Sequence, residues 1–307
     1  MATVSFPSKG WVRDVGPIEG ITPVVWHPDN PPPDGPLDVV VAPYVGAAAC
    51  IASVDKVPGV RLVQLLTAGF DGIFERVPDR IAIANAVGVH DDSTAELALA
   101  MILASQRGIP DFVRAQERGV WLRPGFLPSL ADRRVLVLGY GGVGRAIVER
   151  LLPFRARVSV VATTARDGDD LVKRVGGMDE LDRLLKKSEV VILAVPLNDT
   201  TRGLADDAFL SKLPDNALVV NIARGPVLDT DAALHHTDRL RFALDVTDPE
   251  PLPPEHPLWQ APGVLITPHV GGPSTAFRPR AVEMLREQLG RIGRGEAPDH
   301  IVRPAAP

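Results

Sequence analysis

Apolar residues recur along this chain at two periods, and the alternation between them sketches the fold. Short, nearly continuous apolar runs predict buried strands at 39–42, 61–66, 81–84, 135–138, 158–161, 190–195, 217–222, 241–246 and 264–267. Stripes at helical spacing fall between most of them; Val143, Ile147 and Leu151 recur four residues apart before Pro153. From 134 onward the strand-like and helix-like segments alternate, the sequence form of a parallel, doubly wound sheet. In the first half the strongest helix covers 93–108: Ser93 and Glu96 have capping-box spacing, the middle is apolar, and Gly108 and Pro110 should stop it. A last helix is expected from 274 to about 289 with Pro279 inside it, folding back on the first domain, whereas the proline cluster at 28–36 reads as an irregular surface loop.

The organising stretch is 134–154, where the apolar run Val135, Leu136, Val137 and Leu138 leads into glycines at 139, 141 and 144 and then into the striped helix. Strand, glycine turn and helix in that order form a dinucleotide-binding turn. Gly139 would make the tight turn, Gly141 would let a pyrophosphate approach the backbone, and Gly144 would bring helix and strand together. The helix N-terminus, through N–H groups at Gly142 and Val143, would face the phosphates.

Composition narrows the class of function. The 307 residues suffice for two domains, and 45% hydrophobic residues for their cores. A net charge of −5 gives no basic footprint for nucleic acid or an anionic membrane. The first residues lack a basic segment followed by an apolar run, and no apolar stretch is long enough to span a bilayer, so a cytoplasmic protein is expected. Cys50 is the only cysteine, which excludes an internal disulfide and reads as a packed thiol. No metal site is expected.

The nucleotide is read from the end of the second strand of this turn. An NAD-binding version places an acid there for the ribose 2′-hydroxyl. Here Ala162 occupies that position, followed by Thr163, Thr164, Ala165 and Arg166, so NADP(H) is favoured, with NAD(H) possible through Asp167.

Three polar residues fall at or near the carboxyl ends of late strands, on the edge that carries the glycine turn: Arg224, Glu250 and His269. With their flanks they resemble the D-isomer-specific 2-hydroxyacid dehydrogenase family. The likeness runs through Ala68-Gly69-Phe70-Asp71, Asn85-Ala86 to Thr94-Ala95-Glu96, Gly139-x-Gly141-x-x-Gly144, Pro196 to Thr201, Asn221 to Gly225, Leu244-Asp245-Val246, Glu250-Pro251-Leu252, His256 to Trp259 and Thr267-Pro268-His269. That resemblance implies an α/β protein of two Rossmann-like domains. A discontinuous substrate domain (1–92 and 275–307) would contain an inserted cofactor domain (93–274), with the active site in the cleft.

By the same resemblance, Arg224 holds the carboxylate of a 2-oxo acid, backbone N–H groups of Ala68, Gly69 and Phe70 complete its binding, and His269 exchanges a proton with the substrate oxygen. Glu250 would orient the imidazole and favour its protonated form. Asp245 would orient the nicotinamide, with Thr94, Pro196, Thr201, Ile222, Ala223 and Gly271 lining the cofactor site. The family often has Thr where Asn198 stands and an acid where Ala162 stands. A chain of this length leaves no room for the regulatory domain of many phosphoglycerate dehydrogenases, which favours glyoxylate, hydroxypyruvate or pyruvate, and a homodimer is expected, with Trp121 a candidate for its interface. The rival readings are a dinucleotide-sensing corepressor and a phosphite dehydrogenase on the same fold. A formate dehydrogenase is set aside because that branch carries Gln where Glu250 stands.

Overall fold

The computed structural model describes residues 1–27 and 29–306, and the chain forms two compact units, Met1–His90 with Thr275–Pro307, and Asp91–Ser274. Pro28, from the proline cluster, and Pro307 lie outside the described residues; the rest of the cluster is irregular and mostly exposed.

The first unit opens with elements that the apolar runs did not announce: β1 (Ala2–Phe6), α1 (Lys9–Val15) and β2 (Ile21–Val25). Pro23 is tolerated in β2 because that strand pairs only with β1, at the edge of the sheet. There follow β3 (Val39–Val41), α2 (Ala47–Ser53), β4 (Leu62–Gln64) and β5 (Ala82–Ala84), shorter than the runs that predicted them. Val39 and Val41 face one core with Val4 and Leu62, while Val40 and Val63 face the other, so these strands are buried on both sides.

The second unit starts with α3 (Asp91–Gln106). Its first turn holds Asp91 and Asp92, where acids favour the helix dipole, so Ser93 lies buried inside the helix and the expected capping box does not form. Pro110 does not stop this helix either. It sits in the first turn of a separate helix, α4 (Ile109–Glu117), after Gly108, left-handed at φ +65°, breaks the helical path. The alternating core follows as β6 (Arg134–Leu138), α5 (Gly142–Leu151), β7 (Arg157–Val161), a hairpin of β8 (Arg166–Asp167) and β9 (Arg174–Val175), α6 (Leu181–Leu185), β10 (Val190–Leu193), α7 (Asp207–Leu210), β11 (Leu218–Asn221), α8 (Thr230–His235), β12 (Arg241–Leu244) and β13 (Val264–Ile266).

The main sheet of this unit is parallel throughout, ordered β13-β12-β11-β10-β6-β7. The chain steps outward from β6 to β7 and then returns to β10 on the other side of β6. The carboxyl ends of β6 and β10 therefore flank the point where the order reverses, the place at which such sheets leave room for a ligand.

The chain then re-enters the first unit through α9 (Phe277–Gly293), in which Pro279 occupies the first turn rather than the interior, and β14 (Ile301–Arg303). The first sheet is thereby completed in the order β14-β5-β4-β3-β1-β2, with β14 antiparallel to β5. Both units are α/β with doubly wound sheets. Among the described residues no helix is long and apolar enough to cross a membrane.

Candidate active site

The three glycines in the turn after β6 differ in what a side chain would meet there. Gly139 sits at φ +96°, and a Cβ there would lie 2.3 Å from the Ala194 carbonyl oxygen. At Gly144 a Cβ would come within 2.1 Å of the Gly139 carbonyl oxygen, so helix α5 can press against its strand only without a side chain. Gly141 is the opposite case: nothing lies within 4 Å of a Cβ built there. That open cradle, at the N-terminus of α5 and the switch point of the sheet, fits the diphosphate of a dinucleotide. At Gly142 the space a Cβ would need is filled by the Asp91 carboxylate, 2.0 Å from that point.

At the end of β7, Thr163, Thr164 and Arg166 are exposed, with no acid before Asp167. Arg166 Nη2 donates to the Tyr140 carbonyl at 2.9 Å. Beyond β10, Thr201 Oγ1 donates to the Pro196 carbonyl at 2.6 Å and Asn198 Oδ1 accepts from the Thr200 and Thr201 N–H groups, which fixes the loop beside the cradle.

The late strands deliver the polar set. Arg224 follows β11 through Ile222 and Ala223, both buried. Buried Asn221 shapes this turn: its Nδ2 donates to the Arg224 carbonyl at 3.0 Å and its Oδ1 accepts from Ala223 N–H at 3.1 Å. A Cβ at Gly225 would strike the Thr247 carbonyl oxygen at 1.8 Å, so the turns after β11 and β12 are locked together. Glu250 stands in the second of these turns and His269 in the turn after β13, where the backbone is left-handed at φ 53°, a conformation histidine accepts more readily than most side chains. The two meet: His269 Nδ1 lies 2.6 Å from Glu250 Oε1, with the side chains 44% and 42% exposed. The carboxylate thus takes one ring nitrogen and leaves Nε2 for chemistry.

Asp245, only 3% exposed, holds the histidine turn in place. Its Oδ1 accepts from Thr267 Oγ1 at 2.6 Å and Val270 N–H at 2.9 Å, its Oδ2 from Gly271 N–H at 2.9 Å, and its backbone oxygen from His269 N–H at 2.8 Å. Thr94, in the first turn of α3, packs 3.3 Å from where a Cβ on Gly271 would stand, so Thr94, Gly271 and Asp245 are neighbours.

The remaining expected site lies in the first unit. Ala68, Gly69 and Phe70 follow β4; Asn85 Nδ2 donates to the Ala68 carbonyl at 2.7 Å, Thr67 Oγ1 to the Gly69 carbonyl at 2.8 Å, and the Phe70 ring stacks on Phe74 at 5.2 Å. The carbonyls are thus bound, while among the described residues the three N–H groups donate to no protein acceptor. Trp121 is 85% exposed and Phe126 fully so, in an irregular segment after α4.

Sequence reasoning missed Tyr140, Asp91 and Asp169. Tyr140 stands inside the motif, but its partner Asp169 is 29 positions away, and no local signal joins them.

A family model described as the D-isomer-specific 2-hydroxyacid dehydrogenase NAD-binding domain matches residues 99–271. The chain is 32% identical over 258 residues to a glyoxylate reductase of Thermofilum pendens, covering 81% of this chain and 76% of that protein. Against a glyoxylate reductase/hydroxypyruvate reductase of Mus musculus the identity is 28% over 290 residues, covering 89% and 88%. A crystal structure of a D-isomer-specific 2-hydroxyacid dehydrogenase from Xanthobacter autotrophicus in complex with NADPH and MES superposes with a TM-score of 0.81 at 28% identity, covering 98% of this chain and 97% of that one.

Proposed function

The chain belongs to the D-isomer-specific 2-hydroxyacid dehydrogenase family, NAD(P)-dependent oxidoreductases of small 2-oxo acids, and on that premise we propose that it reduces glyoxylate or hydroxypyruvate with NADPH. The observation that carries this reading is the His269–Glu250 contact of 2.6 Å, presented from the same sheet edge as Arg224 and the glycine cradle.

A bound nicotinamide supplies the hydride. The chain's own groups bind, orient and move the proton. Arg224 offers a planar fork that grips the substrate carboxylate and polarises the neighbouring carbonyl. By the family resemblance, the N–H groups of Ala68, Gly69 and Phe70, which donate to no protein acceptor among the described residues, are assigned to substrate binding as well. As C2 accepts the hydride, His269 Nε2 gives its proton to the carbonyl oxygen, which becomes the hydroxyl of the 2-hydroxy acid, and the ring is recharged from solvent. Glu250 fixes the ring through Nδ1 and leaves Nε2 facing the substrate oxygen. Gly139, Gly141, Gly142, Val143 and Gly144 hold the diphosphate, with Thr94, Pro196, Thr201, Ile222, Ala223, Asp245 and Gly271 along the nicotinamide side.

The preference for NADPH rests on exposed Thr163, Thr164 and Arg166, where a carboxylate would have selected NADH. A cytoplasmic homodimer completes the reading, supported by the exposed Trp121 and Phe126, which a second copy would cover. The test is a panel of 2-oxo acids assayed with NADPH and with NADH at 340 nm. Turnover of glyoxylate or hydroxypyruvate is expected; binding of the dinucleotide with no turnover of any 2-oxo acid would make this a sensor instead.

A further inference from the structure

We propose that the contact between Tyr140 and Asp169 is a latch that positions Arg166 for the ribose 2′-phosphate, and so sets the preference of this chain for NADPH over NADH. The inference rests on the cofactor reading above and deepens it.

The small hairpin β8–β9 carries Arg166, and the core holds chiefly its β9 side, where Val175 is buried, Gly176 N–H donates to the Val160 carbonyl at 2.9 Å and the Gly176 carbonyl accepts from Ala162 N–H at 3.0 Å. Arg166, Asp167 and Arg174 are exposed, and of its four strand residues only Val175 is buried. On the β8 side, which carries Arg166, two contacts go to one residue of the glycine turn. At its base Arg166 Nη2 donates to the Tyr140 carbonyl at 2.9 Å, and at its tip both Asp169 carboxylate oxygens lie 2.9 Å from the Tyr140 hydroxyl, which donates to them. Tyr140 lies between Gly139 and Gly141, so whatever holds the hairpin to Tyr140 also holds it against the dinucleotide cradle.

The charges sort themselves in a way that assigns roles to the two arginines. Arg145, in the first turn of α5, is held by two carboxylates: Nε is 3.2 Å from Asp169 and Nη2 is 2.6 Å from Asp170. Its charge offsets theirs. Arg166 has no carboxylate partner among the described residues, and one backbone carbonyl uses only part of its donor set. The uncompensated guanidinium is the one to meet a phosphate, with the Thr163 and Thr164 hydroxyls beside it, while Arg145 neutralises the aspartates that would otherwise repel that phosphate.

The latch holds its protons across the physiological range. Backbone donation from Leu171 and Val172, the Tyr140 hydroxyl and Arg145 holds the Asp169 carboxyl down to about 2 against a smaller opposing effect of burial, so it remains an acceptor. Burial and the neighbouring carboxylate push the Tyr140 phenol up to about 12, so it remains a donor.

The experiment is steady-state kinetics with glyoxylate for the full-length protein and its Tyr140→Phe, Asp169→Asn and Arg166→Ala variants, each with both cofactors. Tyr140→Phe keeps the ring and deletes only the hydroxyl. It should raise KM for NADPH by about 3- to 10-fold, the range of one surface hydrogen bond, with kcat and KM for NADH within about twofold of wild type. Asp169→Asn should do the same, and Tyr140→Phe added to Arg166→Ala should produce no further loss with NADPH. Equal rises for both cofactors, or an unchanged NADPH-to-NADH ratio in both single variants, would overturn the latch while leaving a wild-type NADPH preference intact. A wild-type protein that prefers NADH would remove the cofactor reading itself, and the latch with it.

Discussion

Replacing Asp245 tests how the reactive histidine is held. The carboxylate accepts three hydrogen bonds from the turn that carries His269: Thr267 Oγ1, Val270 N–H and Gly271 N–H. Asp245→Ala leaves two backbone donors without their acceptor in a site where Asp245 is only 3% exposed. At about 1–3 kcal/mol for each stranded donor, the loss should be about 2–6 kcal/mol, with the Thr267 hydroxyl free to rotate away. Asp245→Asn is milder. Its amide oxygen keeps one side of the pattern, but its NH2 must face a donor, so about 1–3 kcal/mol is expected. For a unit of this size each kcal/mol lowers Tm by roughly 2–4 °C. Because the His269 N–H is bonded to the Asp245 backbone and its turn to the Asp245 side chain, relaxation should shift the imidazole, and a displacement near 1 Å is worth about 10²-fold in kcat. Differential scanning fluorimetry and kcat on glyoxylate, measured together on Asp245→Asn, check the chain of argument. Wild-type Tm and wild-type kcat in that variant would refute it. A raised KM for NADPH at unchanged Tm would show instead that Asp245 acts on the nicotinamide, the role the family resemblance implies.

The other predictions probe separate parts of the molecule. His269→Ala should lower kcat by roughly 10²–10⁴-fold, the usual effect of losing a general acid, and near wild-type turnover would remove its role. Gly141→Ala and Gly144→Ala should divide cleanly: the first adds a methyl to open space, so Tm should hold while KM for NADPH rises, and the second drives a Cβ to 2.1 Å from a carbonyl oxygen, destabilising by about 1–3 kcal/mol in chemical denaturation. Trp121→Ser with Phe126→Ser should shift the protein toward monomer in sedimentation velocity if a second copy covers that segment. Burial pushes the Cys50 thiol up to about 12, so native protein should resist thiol reagents at pH 8. The sign follows from a folded value above the ordinary one near 9: the contribution to stability is whole below pH 9 and declines as pH rises toward 12, a decline that Cys50→Ala should remove from a plot of Tm against pH.

What the sequence disclosed depended on whether a residue's role is local. The glycine turn was legible because its three constraints fall within six residues and are backbone geometry, and the β13 turn because Thr267-Pro268-His269 carries its own conformation. The start of the chain was not legible. α1 buries little besides Trp11 and Val15, and β2 is an edge strand with Pro23 in it, so neither shows a clear period. Pro110 was misread because one residue can end a helix or begin one, and only the left-handed Gly108 before it decides between them. The hold of Asp245 on the histidine turn was not legible because its partners lie more than twenty residues on, in a turn whose folding back cannot be inferred from spacing.

The same contrast of local and distant, buried and exposed, separates chemistry from cofactor choice. His269 and Arg224 are themselves accessible, but each is set by a buried polar residue, Asp245 and Asn221, whose removal strands backbone donors or carbonyls and so lowers stability as well as turnover. Arg166 is set by groups in the exposed β8–β9 hairpin and the Arg145 pair, where single contacts are screened and worth about 0–1 kcal/mol. Substitutions at Tyr140, Arg166 or Asp169 should therefore change the ratio of NADPH to NADH use at almost constant Tm, whereas substitutions at Asn221 or Asp245 should change kcat only with a loss of Tm. Plotting Δlog kcat and Δlog of the cofactor ratio against ΔTm for these five positions distinguishes the two groups. If hairpin variants fall on the same line as Asn221 and Asp245 variants, the β8 side is bound into the core as firmly as β9, and the independence on which the latch depends is lost.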